Sequence, residues 1–165
     1  MQTSYSTQPD QAFAGLLGDV GPHDALSRAF QAGASPRDVS PFGVAMVAGT
    51  DPVTQAKLPT ATAQVFLGIA VHKHRDPVDR DDASTTGIED GDTMSLLTKG
   101  RVWVRVEEAV APGDAVYFRH TQVGAEQAGA FRNDADGGDA DQITSARWAS
   151  VATGAGIALL EINVP

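Results

Sequence analysis

Cysteine is absent from the 165-residue chain, which removes disulfides and thiolate chemistry together and fits assembly in a reducing cytoplasm. Bases are scarce: 12 Lys and Arg stand against 21 Asp and Glu, so the formal net charge is 12 − 21 = −9. That balance argues against sequence-independent binding to nucleic acid, whose phosphates demand a basic face. No stretch approaches the ~18 apolar residues of a membrane span. The opening MQTSYSTQPD has no basic segment followed by an apolar run, so a soluble, non-secreted protein without membrane contact is expected. There is no Gly-x-Ser-x-Gly elbow for nucleophilic catalysis and no Gly-Lys-Ser/Thr phosphate cradle followed by a helix.

What the chain does have is strand patterning. In RVWVRVEE, residues 101–108, Val102, Val104 and Val106 alternate with Trp103, Arg105 and Glu107, the period of a half-buried strand. In IALLEINV, residues 157–164, Ala158, Leu160, Ile162 and Val164 share one face while Glu161 and Asn163 point the other way. Further strands are expected at 43–48, 65–72, 93–98, 115–120 and 147–152, separated by glycine and proline turns. Lys99-Gly100 reads as a turn between the strands on either side of it, and TGAG at Thr153–Gly156 as the turn of a closing hairpin. The expected fold is mainly β, a β-sandwich or jelly-roll-like barrel over residues 43–165, preceded by an extended arm over residues 1–42. The arm holds at most one short helix, DALSRAFQAG, with Asp24 as N-cap and Gly33 as stop.

The acidic residues are bunched. Asp76–Asp92 holds seven acids and one arginine, and Asn133–Asp141 holds four acids and no base, which leaves ten acids and eleven bases elsewhere. The body is therefore near neutral, with two acidic segments expected as solvated loops. The spacing of Asp134, Asp136, Asp139 and Asp141 does not make a calcium loop: with Gly137 at the sixth position, Arg132 and Ile143 stand where ligands belong. His72 and His74 share a face if they lie on a strand. With His120 after the Pro112-Gly113 turn, and Asp79 as carboxylate, they make the alternative reading of a small metal-dependent cupin-like enzyme or sugar-binding barrel. Asp79 lies in an acidic stretch at the wrong distance, and solvent-facing histidines beside Lys73 and Arg75 are the plainer account.

In order along the chain, SRAF (27–30), SPFGVAMVAGTDP (40–52), KLPTAT (57–62), FLGIAVHKHR (66–75) and GDTMSLLTKGRVWVRVEEAVAPGDAVYFR (91–119) resemble the structural cement, or capsid decoration, proteins of tailed bacteriophages. The resemblance runs from about Ser27 to Arg119 and more loosely through the last hairpin. It implies no catalytic residues, no metal and no cofactor, and so no enzyme. What it implies is a β domain on the exterior of the virion capsid, made in the host bacterial cytoplasm. Such a domain acts as a homodimer or homotrimer bridging major capsid protein subunits. Another virion part, a tail or baseplate β domain, suits the same composition. Phe13, Leu16, Leu17 and Phe30 are then candidate arm anchors at a capsid or subunit interface, with packing on their own domain as the open alternative.

Overall fold

The computed structural model describes residues 12–19, 21–33, 37–39, 42–72, 87–124 and 126–164. These form twelve strands: β1 (Asp24–Phe30), β2 (Arg37–Val39), β3 (Ala45–Ala48), β4 (Gln55–Lys57), β5 (Phe66–Val71), β6 (Gly87–Glu89), β7 (Thr93–Val106), β8 (Tyr117–Arg119), β9 (Phe131–Arg132), β10 (Ala140–Gln142), β11 (Ala146–Trp148) and β12 (Gly156–Asn163). A single 3-10 turn at Asp136–Gly138 is the one helical element among the described residues. The architecture is the β-barrel class expected.

Five strands close on themselves. β1 pairs with β4, β4 with β3, β3 with β5, β5 with β7, and β7 returns to β1. Closure removes sheet edges, whose unpaired backbone groups invite aggregation. Each barrel strand sends side chains into one core: Phe30 from β1, Ala56 from β4, Met46 from β3, Ala70 from β5, and Met94 and Leu96 from β7. The opposite faces of β3, β5 and β7 are covered too. Ala45, Val47, Ile69, Val71 and Leu97 pack in a second core with Val102, Val104, Phe118, Phe131, Trp148 and Leu160. A sheet buried on both faces needs unbroken apolar runs rather than alternation, and VAMV at 44–47 and IAV at 69–71 are such runs.

The helix expected over DALSRAFQAG does not form; Asp24–Phe30 is strand β1. Isolated helices this short are marginal, whereas as a strand this segment finds ladder partners in β7 and β4. The turn expected at Lys99-Gly100 is also absent, because β7 runs unbroken from Thr93 to Val106. β1 and β5 hold its first half and β12 holds Lys99 to Val106, so the ladder runs straight through. The register against β1 slips between Asp24 and Ala25, which pair with Lys99 and Leu97, leaving Thr98 as the extra residue of a bulge. That slip, with Gly100 at φ +126°, exchanges the faces of β7: even-numbered Met94 and Leu96 enter the barrel, even-numbered Val102 and Val104 the second core. One strand thereby serves both cores. The closing pair holds as antiparallel β11 and β12, but β11 stops at Trp148. Beyond it Ala152 bridges Val110 instead.

Candidate interaction surface

The segment ahead of β1 lies along β7. Gly15 N donates to Trp103 O at 2.7 Å, Trp103 N to Leu16 O at 2.9 Å and Gly18 N to Arg101 O at 2.8 Å. The crossing is close: a Cβ on Gly43, at φ +70°, would stand 2.7 Å from Gly15 N. Leu17 packs on the second core and Leu16 is half-buried. Phe30 is 1% exposed in the barrel core, a place that leaves it no surface with which to anchor an arm elsewhere. Of the four anchor candidates only Phe13 is open, at 51% exposure.

The histidines take packing roles. His72, just past β5, has its ring 5.3 Å from Phe13 and 4.8 Å from Phe42, and its backbone N–H donates to Gly15 O. His120 is buried, with Nδ1 2.9 Å from Thr121 Oγ1 and Nε2 3.8 Å from Asp141 Oδ1. His74 and Asp79 lie outside the described residues. Among those described, no three His, Asp or Glu side chains come together as a metal-holding group.

Phe13 borders a groove of about 700 Å³ on the outer face of β7 and β12, shared with Ala12, Trp103, Arg105, Val151 and Ile157. The registers explain it. Trp103 stands opposite Leu159 and Arg105 opposite Ile157, all on the face turned away from the second core. Farther along, that same face is ionic: Arg101 pairs with Asp19 and with Glu161, which also meets Arg147. Hydrogen bonds from Arg101 and then Arg147 hold the Glu161 carboxyl below the usual range.

The acidic stretch 133–141 is not the solvated excursion expected. Arg119 on β8, 0% exposed, is ringed by carboxylates: Glu107 accepts from its Nε at 2.8 and 3.0 Å, Asp136 from its Nη2 at 2.6 Å, and Glu126 also pairs with it. Arg132 on β9 meets Glu107 at 3.1 Å, Asp136 at 3.0 Å and Asp134 at 2.8 Å. Buried guanidiniums must be paired, and these acids fold back to do so. The Asp-Gly-Gly sequence permits the reversal, with φ +43°, +68° and +109° at Asp136, Gly137 and Gly138. Asp141, at the loop's end, instead accepts from Thr62 Oγ1 at 2.9 Å and Ala63 N at 2.8 Å. In the other acidic stretch Asp90 accepts from Ala32 N, while residues 76–86 lie outside the described set. Sequence reasoning passed over Arg119 and Arg132; the available signal was a pair of Phe-Arg steps, 118–119 and 131–132, beside acids without bases.

The family described as "Structural cement protein (E217 gp24/Pam3 gp6)" matches residues 1–163. Among solved structures, a chain from "The capsid of Myoviridae Phage XM1" is similar with a TM-score of 0.72 at 19% identity, covering 99% of this chain and 97% of that one. No curated protein matches.

Proposed function

The chain belongs to the phage structural cement protein family, and from that premise we propose that it binds the outside of a tailed-phage head as a homodimer or homotrimer, bridging major capsid protein subunits. The family match over residues 1–163 carries the reading. A shell loaded from within gains from any module that grips two subunits at once, because linking contacts raises effective concentration without requiring each to be tight. The double-cored barrel suits that role as a stiff body. The buried cations Arg119 and Arg132 are consumed by internal pairing, and the exposed face beside Phe13 is the surface proposed to meet the partner.

Phe13, exposed on the segment that lies along β7, is the proposed point of contact with a neighbour. The test is reconstitution: purified protein is added to heads lacking it, and bound copies are counted by sedimentation and located in the shell's density. Saturable binding outside the shell, with raised resistance of the heads to heat, supports the reading. Density on a tail or baseplate, or none on heads, overturns it.

A further inference from the structure

We infer that the groove flanked by Phe13, Trp103, Arg105 and Val151 is the socket for a segment of the major capsid protein that carries a carboxylate among apolar side chains. This rests on the cement reading above and names the site and its partner's chemistry.

The outer face of the β7–β12 sheet divides in two. In one half the charges satisfy each other, along the line Asp19, Arg101, Glu161, Arg147. In the other, among the described residues, Arg105 has no carboxylate at all. Its one side-chain hydrogen bond among the described residues runs from Nη1 to the Gln127 amide oxygen at 3.4 Å. This is an unneutralised cation in a chain of net charge −9, set among Trp103, Ile157, Phe13 and Val151, the last 64% exposed. Covering that apolar surface takes the guanidinium out of water, which is costly unless the occupant supplies an acid to pair with it. An arginine beside aromatic and aliphatic side chains is the composition of a binding hot spot, and its fork suits a carboxylate taken by two hydrogen bonds. The groove is shallow and open, so it fits side chains of a surface segment. Its wall is held firm because Trp103 is hydrogen-bonded through both backbone groups to the N-terminal segment and stands opposite Leu159 in the β7–β12 ladder.

A second copy meeting this patch about a two-fold axis would set the same surface against itself. The groove's lining contains Arg105 and no acid, so each guanidinium would face the other without a counter-charge. A two-fold self-contact is therefore disfavoured, and under the cement reading the occupant is the capsid subunit, with a contact to another copy as an outcome the subunit-mass measurement detects.

The test uses full-length protein and heads lacking it, with binding read by sedimentation and subunit mass by light scattering. Arg105→Glu and, separately, Val151→Glu are expected to weaken binding to heads by about tenfold or more. Both positions are exposed, and unchanged thermal midpoints verify the fold. Arg147→Glu, in the self-paired half, is expected to bind as the unaltered protein does. Equal binding by all three variants, with the unaltered protein binding normally, overturns the socket while leaving the cement role standing. A change of subunit mass in place of head binding also overturns it, making the groove a self-contact. Failure of the unaltered protein to bind heads overturns both.

Discussion

Arg119 Nε shares its hydrogen between both oxygens of Glu107, at 2.8 and 3.0 Å, while the same carboxylate also accepts from Arg132 Nη1 at 3.1 Å. Glu107 follows β7, Arg119 ends β8 and Arg132 ends β9, so one carboxylate joins three strand ends. With Glu107 8% exposed and Arg119 fully covered, the cluster is a buried charge network in which every cation has more than one acid.

Glu107→Gln is expected to destabilise the protein by about 3 kcal/mol, because removing one partner leaves buried guanidinium charge uncompensated. Urea denaturation at neutral pH measures it. Glu161→Gln serves as the control and is expected to lose far less, since its pairs with Arg101 and Arg147 lie at the surface. Equal losses for the two would show that the cluster is not energetically buried.

Stability is expected to fall in acid. Asp136 is held below its ordinary 3.8, first by its hydrogen bond from Arg119 and then by the charge of Arg132, and Glu161 is held below 4.5. Groups whose folded values are depressed stabilise the native state above their unfolded values, and that contribution disappears as pH falls through the folded ones. Thermal midpoints are therefore expected to drop below about pH 4 through these groups. Asp136→Asn is expected to lower stability at neutral pH and flatten the acid limb.

Gly43 and Gly137 both adopt positive φ, at +70° and +68°, but a Cβ on Gly43 would stand 2.7 Å from Ala14 Cβ and Gly15 N while one on Gly137 meets nothing. Gly137→Ala is thus expected to cost only the backbone strain, about 1 kcal/mol. Gly43→Ala is expected to cost more and to loosen the N-terminal segment from β7. Limited proteolysis ahead of β1, together with the thermal midpoint, separates the two outcomes.

Asp141 fastens a loop that carries its own strain: Ala63 sits at φ +58°, unusual for a residue with a side chain, and donates its N–H to Asp141 Oδ2. Asp141→Ala is expected to raise amide exchange at Ala63 by about tenfold, the loss of roughly 1–2 kcal/mol of local hydrogen bonding. Unchanged exchange would place the loop's order in Gln64, which also binds its backbone at Thr60 and Ala61.

The surface assigned to the partner was half legible. Alternation in RVWVRVEE puts Trp103 and Arg105 on one face, and the closing strand puts Glu161 on the outward face of its own partner. What alternation leaves open is which outward residues become neighbours. That depends on the β7–β12 register, which sets Arg101 beside Glu161 and leaves Arg105 beside Ile157. Phe13, Leu16, Leu17 and Phe30 looked alike as apolar points in an arm, yet one is exposed and one lies in the barrel core, because only β1 is enclosed by ladders on both sides.

By itself the sequence determined the β class, the positions of six of the twelve described strands (β3, β5, β7, β8, β11 and β12) and the absence of thiol chemistry, since periodicity and composition are local properties that survive any rearrangement of neighbours. Tertiary structure alone decided that Asp24–Phe30 is a strand, that β7 passes through Lys99-Gly100 on a bulge, and that Asp134 and Asp136 turn back onto Arg119 and Arg132. Each of those outcomes depends on a partner far along the chain: a second ladder for β1, the strand β12 for β7, and two buried arginines for the aspartates. Pairing of that kind outweighs the modest preferences of a single segment, and no window of sequence contains it.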